Sequence, residues 1–167
     1  MNMCLKGEEV FSSYLVLKKE TYPTNEETLN NQPLYFDLLL HTRQEVLFKP
    51  WFEIEQSLTW LFQNWEEGFK QHVNQKKKGK VSEEFMIKGL VSFFAFLYWM
   101  NQKPVASLHV VDINDLTMKP VNVVERLSFV MNKPTQHHSV IQLDQLYREA
   151  MKQAQKKIAI DKMKKNI

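Results

Sequence analysis

Ser82-Glu-Glu-Phe-Met-Ile-Lys-Gly-Leu-Val-Ser-Phe-Phe-Ala-Phe-Leu-Tyr-Trp-Met100 is the stretch on which the fold turns. Ser82 can cap a helix with its hydroxyl, and Glu83 and Glu84 put negative charge at the positive end of that helix's dipole. Beyond them apolar side chains fall on nearly every face, so no stripe of 3.6-residue period divides a wet side from a dry one. Such a helix needs protein all round it. The uncharged run from Gly89 to Gln102 is fourteen residues long, short of the roughly 20 apolar residues that span hydrocarbon. The segment therefore predicts a core helix over about 83–101 rather than a membrane span. The expected fold is all-α, a compact bundle of about five to six helices around this central apolar one.

Upstream, Trp51, Ile54, Leu58, Leu61, Phe62, Trp65, Phe69 and Val73 recur at spacings of three and four, which defines one apolar face of a long helix. Pro50 suits its first turn, Glu53 and Glu55 its positive end, and Lys70 and Lys76 to Lys78 its negative end. Gly79 is the expected stop, and Lys76 to Lys80 read as a solvated helix end rather than a phosphate site. Tyr35, Leu38 and Leu39, with Thr42 and Val46, mark a preceding helix that Lys49-Pro50 interrupts. Lys19 to Pro33 is rich in Thr, Asn, Glu and Pro and reads as an exposed connector. A short helix is expected over Glu8 to Leu17.

Downstream, Val105 to Val111 fits either a short strand or a helix. Pro120 opens the next predicted helix, with Val121, Val124, Leu127, Val130 and Met131 inward, ending before Asn132-Lys133-Pro134. Ser139 and Gln142 have the spacing of a capping box at the start of a last helix. Leu143, Leu146, Tyr147, Ala150, Ala154 and Ile158 give its inner face, and Asp144 and Arg148 are spaced to pair. Beyond Ile158 the chain is expected to fray. The organisation so read is a helix and polar connector over 1–33, one helical domain over 34–158 and a basic tail over 159–167.

A chain of 167 residues is the size of one ordinary domain and can bury a sizeable core without staples. Its single cysteine, Cys4, rules out an intrachain disulfide and fits a reducing compartment. The first nine residues lack the apolar stretch of a secretory signal, so a cytoplasmic protein is expected. The net charge is only +3, yet the last twenty residues carry seven Lys or Arg against two acids. A slightly acidic body thus ends in a basic tail.

Phosphate-cradling glycine loops, dinucleotide fingerprints, nucleophile elbows and the zinc-protease helix motif are all missing from the sequence, and no cofactor is expected. His137 and His138 with His109, Asp112 and Asp115 would make a metal site only if the fold gathered them. The Asp112-Ile-Asn-Asp115 run lacks the glycine and distant glutamate of a calcium loop and reads as a helix cap. Asn122, Glu125 and Arg126 lie opposite an apolar stripe, with His137, His138 and Ser139 close in sequence, and these six form the candidate interaction surface. Arg126 also has a plainer expectation, an ion pair with Glu125 or an acid on a neighbouring helix. Arg148, Lys152 and Lys156 form an outward basic row, the candidate phosphate contacts.

Four short stretches carry a likeness to known proteins: Lys103-Pro-Val, Lys119-Pro-Val-Asn-Val-Val-Glu-Arg-Leu, Lys133-Pro-Thr-Gln-His-His-Ser and Ile141-Gln-Leu-Asp-Gln-Leu. With them, about Trp51 to Lys152 resembles the YpoC-like family of bacilli. The resemblance implies a small cytoplasmic helical protein encoded near genes of DNA repair and cell-wall synthesis. It brings no catalytic residues with it.

The favoured function is that of a non-enzymatic interaction or adaptor module with a protein partner. The alternative is nucleic-acid binding through the basic C-terminal helix, which would contact phosphates without reading sequence. A metal-dependent enzyme using the histidines ranks third, because active sites are also assembled from residues far apart in sequence.

Overall fold

A computed structural model describes residues 6–7, 9–18, 20–74 and 81–166. Among these are six α-helices and two 3-10 helices, with α4 as the apolar one that the others surround: α1 (Asn25–Asn31), α2 (Tyr35–His41), α3 (Ile54–Asn74), α4 (Glu83–Met100), α5 (Val123–Asn132) and α6 (His137–Lys165). The strands are residual, β1 (Lys6–Gly7) and β2 (Ser107–Leu108), two residues each and parallel. The protein is all-α.

α4 forms the axis. Ser82 accepts a hydrogen bond from the Phe85 N–H at 3.3 Å, and from Met86 to Met100 every residue except Lys88 is buried. α3 and α6 pack against it, and their closest approach is made by rings. Trp65 of α3 stacks on Phe85 at 5.1 Å and on Tyr147 of α6 at 4.8 Å, with interplanar angles of 13° and 10°. Gly89 makes room for this stack, since a Cβ there would lie 2.6 Å from the Trp65 ring. Tyr147 in turn donates its hydroxyl proton to the Gly89 carbonyl at 2.6 Å. A tyrosine buried this deeply needs that acceptor.

Several elements depart from the sequence expectation, each for a local reason. The supposed connector holds α1: Thr24 caps it by accepting from the Glu27 N–H at 3.1 Å, and the one large apolar residue, Leu29, is fully buried. One cap and one anchor suffice where a periodic stripe is missing. The N-terminal helix is a 3-10 turn over Glu9–Tyr14 that inserts Phe11 against Phe94 at 5.8 Å. Pro50 precedes α3 by a turn instead of opening it, because the N–H groups of Phe52 and Glu53 bond back to the Lys49 carbonyl. α2 stops at His41, and Arg43 follows in the left-handed region with φ 58°.

The segment after Pro104, which fits either a strand or a helix by sequence, forms β2 and a 3-10 helix over Val110–Asp115. Asp112 lies inside that helix, where it accepts from the Ser107 hydroxyl at 2.6 Å rather than capping an end. α5 starts at Val123, after Asn122 in the left-handed region (φ 55°), three residues past Pro120. α6 begins at His137 with Gln136 as its cap, so no capping box forms; the Ser139 hydroxyl donates to the Lys133 carbonyl at 2.6 Å. At the other end the chain does not fray at Ile158, for α6 continues to Lys165. Cys4, the lysine run 76–80 and Gly79 lie outside the described residues.

Candidate functional site

Of the six candidate surface residues, the structure leaves four exposed, half-buries Arg126 and buries Ser139. Asn122, Glu125, His137 and His138 are exposed, and the two imidazoles lie 6.3 Å apart in the first turn of α6. Ser139 is fully buried. Arg126 forms a two-pronged ion pair with Glu149 of α6, Nη1 to Oε2 at 2.7 Å and Nη2 to Oε1 at 2.8 Å, and donates also to the Val121 carbonyl at 3.1 Å. Turned with its oxygen towards the guanidinium, the Gln142 amide accepts from Nη2 at 3.2 Å and from Nε. The hydrogen bond from Arg126 holds the Glu149 carboxyl below the usual range. A bidentate fork of this kind fixes geometry, and here it clamps α5 to α6.

The basic row divides in the same way. Arg148 bonds Asp144 at 2.8 Å, the pair its spacing predicts, and lies 5.8 Å above the Phe62 ring. Asp144 is shared, because it also accepts from the Trp65 indole N–H at 3.1 Å. Lys152 lies beside Arg148 on a groove between α3 and α6, together with Lys70, Glu66 and Glu67. Lys156 opens on a different groove.

That second groove, about 660 Å³, runs between the 101–119 segment and the last third of α6, and carries Lys103, Lys119, Lys156, Lys157 and Lys164 against a single acid, Asp161. Its walls are held from beneath. Asn101 donates to the carbonyls of Leu97 and Met118 and accepts from the Met118 N–H at 2.8 Å, which pins the connector to the end of α4. Gln153 of α6 donates across the groove floor to the Lys119 carbonyl at 3.0 Å. Lys119 is steadied by its own bond to the Leu116 carbonyl, and Lys157 by Asp161 at 2.9 Å. The Lys157 hydrogen bond, with Lys164 and Lys165 nearby, holds the Asp161 carboxyl below its ordinary range. Among the described residues no ion pair ties Lys103 or Lys156.

Lys103 and Lys119 were invisible to a search for charge along one helix. Each precedes a proline, Lys103-Pro104 and Lys119-Pro120, and a residue before proline is pushed to extended backbone. Lys49-Pro50 and Lys133-Pro134 repeat the dipeptide outside the groove, so no local signal singles out Lys103 and Lys119.

The titratable groups furthest from their ordinary behaviour are in the core. Asp37 of α2 is fully buried; its Oδ1 accepts from the Trp99 indole N–H at 3.1 Å and the Val105 N–H at 2.6 Å, while Oδ2 has no partner. Burial pushes its carboxyl up to about 7 against the opposing pull of those donors. His41 Nε2 lies 2.7 Å from the Val105 carbonyl and so carries the ring proton there. Burial likewise raises Tyr98 to about 12 and Tyr147 well above the ordinary tyrosine value. Among the described residues no three His, Cys, Asp or Glu side chains are grouped as metal ligands, and no helix is long and apolar enough to cross a membrane.

Fold and surface together define an all-helical protein wrapped around one apolar helix, with a lysine-lined groove at one end. Residues 44–162 match the model of the family described as YpoC-like protein, so the chain belongs to that family. It is 31% identical over 155 residues to the Bacillus subtilis (strain 168) protein named Uncharacterized protein YpoC, covering 88% of this chain and 93% of the relative. No solved structure matches it.

Proposed function

We propose that this protein is a non-enzymatic binding module whose partner is an anionic macromolecule seated in the groove between residues 101–119 and the end of α6. The observation that carries this reading is the set of five lysines facing one acid across walls that side-chain hydrogen bonds hold in place. Like charges brought together on a fixed scaffold repel one another, and a polyanion relieves that repulsion while releasing its own counterions. The non-enzymatic part is supported by the place of the carboxyl pushed up to about 7, Asp37, which is fully buried against Trp99 and Val105 rather than facing solvent.

Heparin-agarose supplies a polyanion without any nucleic-acid or protein character. Wild type should elute at clearly higher salt than the Lys156→Glu/Lys164→Glu variant, and a Lys49→Glu/Lys133→Glu variant, charged alike but altered elsewhere, should elute near wild type. Equal elution of the two variants would remove the groove from consideration.

A second reading, docking of a protein on the outer side of α5, has its own observation: Val121 and Phe129 are 73% and 52% exposed beside Asn122 and Glu125. Exposed apolar side chains rimmed by polar ones are common at contact surfaces. Pull-downs from cell extract with wild type and Phe129→Glu test it; identical recovered proteins would rule it out. Arg126→Ala is a poor probe of that surface, because Arg126 joins α5 to α6.

A further inference from the structure

Resting on the anionic-partner reading, we infer that the lysine groove takes the phosphodiester backbone of double-stranded nucleic acid, without regard to sequence. Four features of the groove lead to this. First, its positive charge is arranged along a line: Lys156 and Lys164 stand eight residues apart on a continuous helix, about 12 Å at 1.5 Å per residue, and Lys103 and Lys119 supply the facing wall. A duplex presents one negative charge per about 1.7 Å of axis. An extended acidic peptide alternates its side chains and offers one carboxylate per about 7 Å on either face. A groove with five lysines against one acid suits the more densely charged of the two ligands.

Second, every basic residue lining the groove is lysine and none is arginine. Lysine is a point charge that satisfies a phosphate from many directions, whereas the rigid planar fork of arginine is the better fit to a base edge. Third, no aromatic residue lines it, so the stacking platforms on which single strands depend are missing. Fourth, the lysines stand on ordered walls rather than a loose tail, with Asn101 and Gln153 as the cross-ties. Pre-set charges lose less freedom when a ligand arrives. The one carboxylate present, Asp161, is already engaged by Lys157 at 2.9 Å.

Counterion release makes the inference quantitative. With Lys103, Lys156 and Lys164 in contact with phosphates, log K should fall with log salt at a slope of about −2.7, and with all five lysines at about −4.5. Between 50 and 200 mM salt this is a loss of about 40- to 500-fold.

The experiment is fluorescence anisotropy of full-length protein with a fluorescein-labelled 20-base-pair duplex. Expected are a slope inside that range, competition by unlabelled duplexes of unrelated sequence within about twofold of one another, and weaker competition by a 20-nucleotide single strand. Lys103→Glu/Lys156→Glu/Lys164→Glu should weaken binding at 50 mM salt by at least tenfold, and Lys18→Glu/Lys49→Glu/Lys133→Glu by less than about threefold. Should the triple charge reversal disturb folding, Lys156→Gln alone should still weaken binding and flatten the slope by about 0.9.

A salt-independent signal, equal losses in the two triple variants, or tenfold preference for one sequence would overturn the inference. A labelled twenty-residue polyglutamate separates the two levels of the proposal. If it binds through the same lysines while the duplex does not, the groove takes an acidic protein segment, so the phosphodiester inference fails and the anionic-partner reading stands. If neither binds, both fail.

Discussion

The two halves of α6 differ in what they bury and in how many of their charges are paired. From His137 to Ala154 the helix buries Val140, Leu143, Leu146, Tyr147, Ala150 and Ala154 against the core, and three of its charged residues are engaged within the protein, Asp144 with Trp65 and Arg148, and Glu149 with Arg126, while Lys152 is exposed. After Ala154 no residue is buried, and lysines outnumber acids along the groove. The first half is held by neighbours; in the second, Lys157 pairs with Asp161 and Lys162 with Glu55, while no ion pair ties Lys156 or Lys164 among the described residues. On the proposed reading the second half is the binding half, and substitutions in the two halves should sort accordingly.

Trp65→Ala should break the buried half most severely. The ring is sandwiched between Phe85 and Tyr147 and bonds Asp144, and loss of a buried tryptophan costs about 3–5 kcal/mol. Chemical denaturation should show that loss in full, while Met163→Ala in the exposed half should stay within about 0.5 kcal/mol of wild type.

Asp37 extends the comparison to a charge placed in the core. Its carboxyl is raised from 3.8 to about 7 in the folded protein. Below the unfolded value both states hold the proton; between the two values only the folded state does. Stability should therefore fall as pH rises from about 4 to 7, by at most about 1.4 kcal/mol per pH unit, and level off above. Asp37→Asn keeps the acceptor for Trp99 and Val105 and should flatten that dependence, read as denaturation midpoints across pH. An unchanged profile would locate the titration elsewhere.

Arg126→Ala should cost less, about 1 kcal/mol, because the pair with Glu149 is partly exposed but two-pronged. Glu149→Gln should cost a similar amount, and the double change should be far from additive. Lys156→Ala should be the smallest, within about 0.5 kcal/mol by thermal or chemical melting, since no structural partner is lost.

Much of the buried half was legible in the sequence, for its signals are local. The all-round apolar character of 85–100, the Ser82 cap, the Asp144–Arg148 spacing and the α3 stripe from Ile54 to Phe69 appear in the structure as expected, whereas Trp51 lies before α3 and Val73 is exposed. What escaped depends on partners far along the chain. Ser139 resembles a cap, but its hydroxyl reaches the Lys133 carbonyl once Gln136 has started the helix. Glu149 meets Arg126 across 23 residues, and Asp37 meets Trp99 across 62. Periodicity does not report such pairs. The groove was legible only by half: Lys156 stands out on its helix, whereas Lys103 and Lys119 join it through the path of the connector that Asn101 and Gln153 hold down.

The division of α6 is tested most directly by amide chemical shifts of 15N-labelled protein titrated with the 20-base-pair duplex at 50 mM salt. The account predicts progressive shifts at Lys103, at Met118 and Lys119, and over 153–164, with 137–150 unmoved. Shifts centred on the α5 face or the first turns of α6, or a spectrum that does not change, would contradict it.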